Sequence, residues 1–208
     1  MSAVRHGWIG LVVCALLSSS GACATARRPA PGPDALDPKF SIASYIEEGA
    51  EVALIVGTRP TGFKEDEPYV PFEIAIVNKG LERLSLTRES FTLVDEEGNE
   101  YPAVGRDELA RSYGNVDLDR RLGEIGPIVR GRFQAYTQVP SVLTPSFDKP
   151  IDRRLYLRRF NFAVDFLYFP RPATGVRGRR FELFMRAPEL EAPVFVKLRV
   201  HGKPRSGS

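Results

Sequence analysis

Two histidines and two cysteines are all the imidazole and thiol in this chain, so metal and nucleophile chemistry have little to draw on. His201 follows Lys197 and Arg199 on the polar side of an alternating segment. That cationic setting disfavours a divalent ion, and no cysteine or second histidine stands near to complete a zinc set. It reads as a solvated surface side chain. No G-x-S-x-G elbow, Walker A loop or dinucleotide glycine fingerprint occurs. Carboxylates offer more, because glycoside hydrolysis needs only two of them in a cleft. Asp95-Glu96-Glu97 looks like a charged hairpin tip and lacks the ligand spacing of a calcium loop. Asp117 and Asp119, beside Arg120-Arg121, read as surface ion pairs in a loop. Asp165 lies in an otherwise apolar run, where a buried carboxylate needs a partner; an arginine of the neighbouring strand is expected. No catalytic, cofactor-binding or metal-ligating residue is assigned on these grounds, and no cofactor is expected.

That apolar run carries the candidate partner surface: Phe160, Phe162, Phe166, Tyr168 and Phe169, flanked by Arg158, Arg159 and Arg171. A continuous apolar stretch of this kind reads first as a strand buried on both faces. The alternative is an exposed aromatic ledge at a sheet edge, since aromatic plus arginine is the composition of interface hot spots.

The elements that would position these groups begin after an export leader. Met1 to Gly7 carries Arg5, residues 8–17 (WIGLVVCALL) are apolar, and residues 18–26 (SSSGACATA) are small. About ten apolar residues are too few for the ~20 that a spanning helix needs, and they match a signal-peptide h-region with a cleavage zone. Ser20-Gly21-Ala22-Cys23 resembles the lipobox of bacterial lipoproteins, with Ser20 where that family usually has leucine. The resemblance implies a signal peptide over residues 1–22, lipidation of Cys23 and anchorage in the cell envelope. Ala24, not aspartate, follows the cysteine, which in Gram-negative lipoproteins implies the outer membrane, facing the periplasm. Ala22-Cys23-Ala24 also fits an ordinary secretory cut, which would leave a soluble periplasmic or secreted chain. His6 and Cys14 leave with the leader, so Cys23 is the sole mature cysteine and no intrachain disulfide is available.

Residues 23–38 read as a tether, because Pro29, Pro31 and Pro33 alternate with small residues. A β-sandwich domain is expected over residues 39–203 and a disordered tail over 204–208. Within the domain the dominant period is two: Val52, Leu54 and Val56; Phe72, Ile74 and Ile76; Val194, Val196, Leu198 and Val200. Residues 134–139 and 181–187 read as further strands, and residues 151–162 are ambiguous but lean to strand. One short helix is expected over residues 106–113, closed by Gly114. Short strands without βαβ alternation point to an all-β sandwich. Residues 71–103 resemble the immunoglobulin-like sandwich domains of many bacterial lipoproteins, through the pattern Phe91, Leu93, Asp95, Gly98 and Tyr101. The resemblance supports the fold and implies no chemistry.

Charge is near balance at +3 but unevenly placed. Acids exceed bases by roughly eight over residues 38–110, and bases exceed acids by about as many from residue 151 onward. The two halves are expected to neutralise each other across strands. The function expected is therefore a lipid-anchored, non-enzymatic binding or structural module acting on another envelope protein. The rivals are an envelope glycan or peptide hydrolase using carboxylates, and a binder of anionic lipid or lipopolysaccharide. Nucleic acid is excluded as a partner by export, and the oligomeric state is left open.

Overall fold

The alternation of apolar and polar residues resolves into three sheets in a computed structural model that describes residues 44–64, 66–144 and 154–202. The first sheet holds β1 (Ser44–Glu48), β2 (Val52–Gly57), β3 (Tyr69–Asn78), β9 (Asn161–Pro170) and β7 (Thr137–Gln138), in the order β1-β2-β3-β9-β7. All its pairings are antiparallel except the short parallel contact of β7 with β9. The second sheet runs β11 (Val194–Arg199), β10 (Arg180–Met185), β5 (Phe91–Asp95), β6 (Glu100–Pro102), and β4 (Arg83–Leu86) pairs with β8 (Leu155–Arg158) in a two-stranded third. Among the described residues the regular structure is thus mostly strand with a few short helices.

The first sheet faces the other two across one apolar core. Val70, Phe72, Ile74 and Ile76 of β3 meet Leu93 of β5, Leu183 of β10, Leu198 of β11, and the Leu84 and Leu157 pair of β4 and β8. Strand side chains alternate in direction, so Tyr69, Glu73, Ala75 and Val77 face the other way. That outer face is also buried, because the chain between β6 and β7 returns across it as α2 (Arg106–Ser112), α3 (Val116–Leu122) and α4 (Ile125–Arg132). Ile125, Val129 and Phe133 cover Ala53, Ile55, Ala75 and Phe162, while Leu109, Tyr113 and Val116 cover Tyr69, Phe166 and Tyr168.

The expected helix over residues 106–113 is present as α2. Helices α3 and α4 correct the loop expected around Asp117 and Asp119: Asp117 does pair with Arg120 at the surface, at 3.5 Å, but Asp119 is fully buried. The ambiguous stretch before residue 162 contains strand β8, a turn at Arg159-Phe160, and the start of β9. The leader, Cys23, the tether and the tail lie outside the described residues.

Two local details show why the strands stop where they do. Pro71 would break a central ladder, but β2 pairs with β3 only from Glu73 onward, and the Pro71 carbonyl accepts from the Thr61 hydroxyl of α1 (Arg59–Gly62). In the β5–β6 hairpin, Gly98 takes φ +88°, and Asp95 accepts from the Asn99 backbone and side chain and from the Tyr101 hydroxyl. Burial alone would raise the Asp95 carboxyl, yet these donors outweigh it and hold the group below the ordinary aspartate value. The Phe-Leu-Asp-Gly-Tyr spacing is therefore a self-capping hairpin: two core residues, one acceptor, one turn glycine and one donor.

Candidate functional site: an arginine-lined groove

The groove begins with a buried amide. Asn78, at the end of β3, donates through Nδ2 to the carbonyls of Leu81 and Leu157, both at 2.9 Å, and accepts the Leu81 N–H through Oδ1 at 3.0 Å. A fully buried side chain so engaged fixes the turn that leads into β4. Beside it, the β8–β9 turn forces Phe160 to φ +61°, an unusual value for a bulky residue. Two backbone bonds hold it there, from its N–H to the Asn78 carbonyl at 2.8 Å and from the Thr137 N–H to its carbonyl at 2.9 Å.

Register then does the rest. Leu84 and Leu86 of β4 face Leu157 and Leu155 of β8 and point into the core, so the alternate residues Arg83, Ser85, Tyr156 and Arg158 point outward. Arg83 and Arg158 are direct cross-strand partners. They line a cavity of about 730 Å³ together with Leu81, Glu82 and Glu189. Glu189, in the turn after β10, accepts the Ser85 N–H at 3.1 Å and stands 3.9 Å from the Arg83 guanidinium. Its burial works against ionisation, but the Ser85 donors and Arg83 prevail and hold the carboxyl below the usual glutamate range. The Arg83 guanidinium also lies 5.9 Å from the Tyr156 ring, which is half exposed. The side chains of Arg158 and Glu82 have no hydrogen-bond or ion-pair partner among the described residues.

The aromatic ledge proposed from the sequence does not form. Phe162, Phe166, Tyr168 and Phe169 are all buried, as the central-strand reading requires, because core covers one face of β9 and the helices cover the other. Of the five aromatics, Phe160 alone is exposed, at 52%, with its ring edge-on to Tyr136 at 5.4 Å. Arg158 joins the groove. Arg159 is turned to the Gly80 carbonyl at 2.7 Å, and Arg171 is exposed at the far end of β9. His201 is exposed.

The buried and half-buried acids are committed elsewhere. Asp165 differs from expectation: its carboxylate accepts the backbone N–H groups of Leu143 and Thr144, at 2.8 and 2.9 Å, and the Thr144 hydroxyl. Arg88, near the start of β5, feels its charge. Glu73 points from β3 at the start of α4 and accepts the N–H groups of Glu124, Ile125 and Gly126 at 2.6, 3.0 and 3.3 Å. Pro127 follows in the first turn, where its missing N–H leaves nothing unsatisfied. Burial outweighs those bonds and raises the Glu73 carboxyl. Asp119 accepts the Tyr113 hydroxyl at 2.6 Å and pairs with the buried Lys64 ammonium at 3.6 Å. The Tyr168 hydroxyl stands beside it, outside strict hydrogen-bond geometry. Burial raises the Asp119 carboxyl and, joined by its charge, pushes both tyrosines far above their ordinary values.

Sequence reasoning missed Leu81, Glu82, Arg83 and Glu189 because three separated segments meet to form the groove. It missed the Lys64–Asp119 pair for the same reason, although a helical pattern around Val116 and Asp119 was readable. The acidic hairpin tip does find basic partners from the later half, with Glu97 at 2.9 Å from Arg179 and Glu96 accepting the Arg180 N–H. Among the described residues no group of three His, Cys, Asp or Glu side chains could hold a metal, and no helix is long and apolar enough to cross a membrane.

No protein-family model matches the chain, and no curated protein matches it. Among solved structures it is similar to the crystal structure of ycdA, a candidate lipoprotein of Bacillus subtilis, at 11% identity and a TM-score of 0.40, over 74% of this chain and 38% of that one. The chain therefore spans little more than a third of ycdA's length, and a likeness at that score assigns neither fold nor role.

Proposed function

We propose that this chain is a lipid-anchored module of the bacterial cell envelope that binds another envelope protein and does no covalent chemistry of its own. The observation that carries the reading is the groove between β4, β8 and the turn at Glu189. It joins an arginine with no ion-pair partner among the described residues, an apolar wall and a half-exposed tyrosine, the mixture that recurs at interface hot spots. The lipobox-like Ser20-Gly21-Ala22-Cys23 supports the anchor, and Ala24 supports the outer membrane. Assignment of the two-layer domain to the immunoglobulin-like sandwiches belongs to the same proposal and rests on the 91–101 hairpin pattern.

A non-enzymatic role is supported by the way the acids are used. Glu73, Asp95, Asp119 and Asp165 each accept hydrogen bonds from donors of the protein itself. Glu189 does line the groove, but a general acid needs a raised pKa, whereas Glu189 is held low by Ser85 and Arg83.

Two experiments test the reading. Labelling cells with a fatty acid should mark the wild type and not Cys23→Ala; equal labelling of both would remove the anchor. A photo-crosslinking residue in place of Tyr156, at the groove rim, should trap one specific envelope protein in intact cells. A chain that stays uncrosslinked there and at control sites around the domain would overturn the partner.

A further inference from the structure

The groove also carries a charge problem whose solution points to its ligand. Direct cross-strand partners stand with Cβ atoms about 5 Å apart, and like charges so placed destabilise a strand pair. Arg83 and Arg158 are such a pair. Arg83 is offset by Glu189 and lies near the Tyr156 ring, whereas Arg158 meets no acid among the described residues. We propose that Arg158 is the anion-binding residue of a site for the terminal carboxylate of a peptide chain.

Three features select that class. The cavity, at about 730 Å³, falls within the roughly 300–1,000 Å³ of ligand sites, so it accommodates a few residues and not an extended surface. Leu81, partly buried against the core, offers an apolar wall for the last side chain. Glu82 lines the same cavity and has no partner among the described residues, so a polyanionic surface such as phosphate head groups would be repelled by it. A single carboxylate, held on Arg158 by the planar guanidinium fork, presents one charge to Glu82 and meets far less of that repulsion. The choice of a peptide over a small free carboxylate rests on the protein-partner reading above.

The test titrates the full-length, detergent-solubilised chain with a short fluorescent peptide ending in leucine. Three forms are compared by anisotropy: the free carboxylate, its C-terminal amide, and an amide carrying a glutamate side chain near the end. The free carboxylate is expected to bind saturably, with the plain amide and the Arg158→Gln variant each weaker by about ten- to a hundredfold, the effect of losing a charged hydrogen bond. Arg158→Lys should recover part of the loss, and Glu82→Gln should bind at least as tightly as wild type. Arg158→Gln should unfold at or slightly above the wild-type temperature, since it relieves the repulsion with Arg83, which excludes a folding defect. Equal binding by the plain amide, an unchanged Arg158→Gln affinity or no saturable binding would overturn the proposal. Equal binding by the glutamate-bearing amide would overturn the terminal assignment. If Tyr156 crosslinking in cells survives Arg158→Gln while the peptide fails, the carboxylate site falls and the partner reading stands; loss of crosslinking at every site in wild type removes the reading itself.

Discussion

The two faces of the five-stranded sheet are buried by different means. The inner face meets the other strands through apolar side chains, such as Val70, Phe72, Ile74, Leu167 and Phe169. The outer face meets short helices, and polar groups sit within the contact: Glu73 at the start of α4, and Lys64, Tyr113 and Asp119 around α3. Helices of seven or eight residues are too short to hold themselves in water. Apolar burial alone also lets such helices slide, whereas directional bonds to fixed strand positions set where they dock. The comparison teaches that the inner face stabilises the domain without a specific partner at each position, while the outer face depends on paired polar contacts that fail together when one member is lost.

The largest effect should come from the inner face. Phe169 is fully buried and packs edge-on against Phe72 at 5.9 Å, so Phe169→Ala should cost about 3–5 kcal/mol, measured by urea unfolding. No second substitution at a polar site should rescue it. On the outer face, Asp119→Ala leaves the buried Lys64 with only the partly exposed Glu67, at 3.8 Å, and should cost about 3 kcal/mol. Here a rescue is expected: Lys64→Met combined with Asp119→Leu should regain most of that loss, since an apolar pair replaces an ionic one without leaving a charge behind. If the double variant is no better than the single, the outer face is not organised by pairing.

A smaller effect tests the closeness of α4 to the sheet. A Cβ at Gly123 would stand 2.9 Å from Glu73 Oε1 and 3.1 Å from the Phe166 ring. Gly123→Ala should therefore cost about 1–3 kcal/mol by overpacking, whereas Gly131→Ala, inside α4 where a Cβ meets nothing within 4 Å, should stabilise by about 0.5–1 kcal/mol.

The smallest effect is a difference in pH dependence. Glu73 has a folded value above the ordinary 4.5, so the folded chain holds its proton to higher pH than the unfolded one. Its contribution is complete below that ordinary value and declines as pH rises through the folded value. Asp95 is opposite: its folded value lies below the ordinary 3.8, so its contribution is present above that point and lost as pH falls further. Denaturant midpoints against pH should show Glu73→Gln removing a decline on the alkaline side, and Asp95→Asn removing one on the acid side. Slopes that do not change in opposite limbs would contradict these assignments.

What the sequence alone determined was local and periodic. Alternation of period two marked β2, β3 and β11, and the 91–101 hairpin was legible because its acceptor, glycine and donor all lie within eleven residues. The continuous apolar run of β9 correctly implied burial on both faces, without naming what covers either one. Tertiary structure decided the rest. Asp119 looked like a surface acid because the side chains around it, Lys64, Tyr113 and Tyr168, come from three separate parts of the chain. The groove was invisible for the same reason: Arg83 and Arg158 become neighbours only through the register of β4 on β8, and Glu189 arrives from a third segment. A charge's meaning depends on what stands within a few ångströms of it, and for long-range pairs that distance is set by packing and not by sequence spacing.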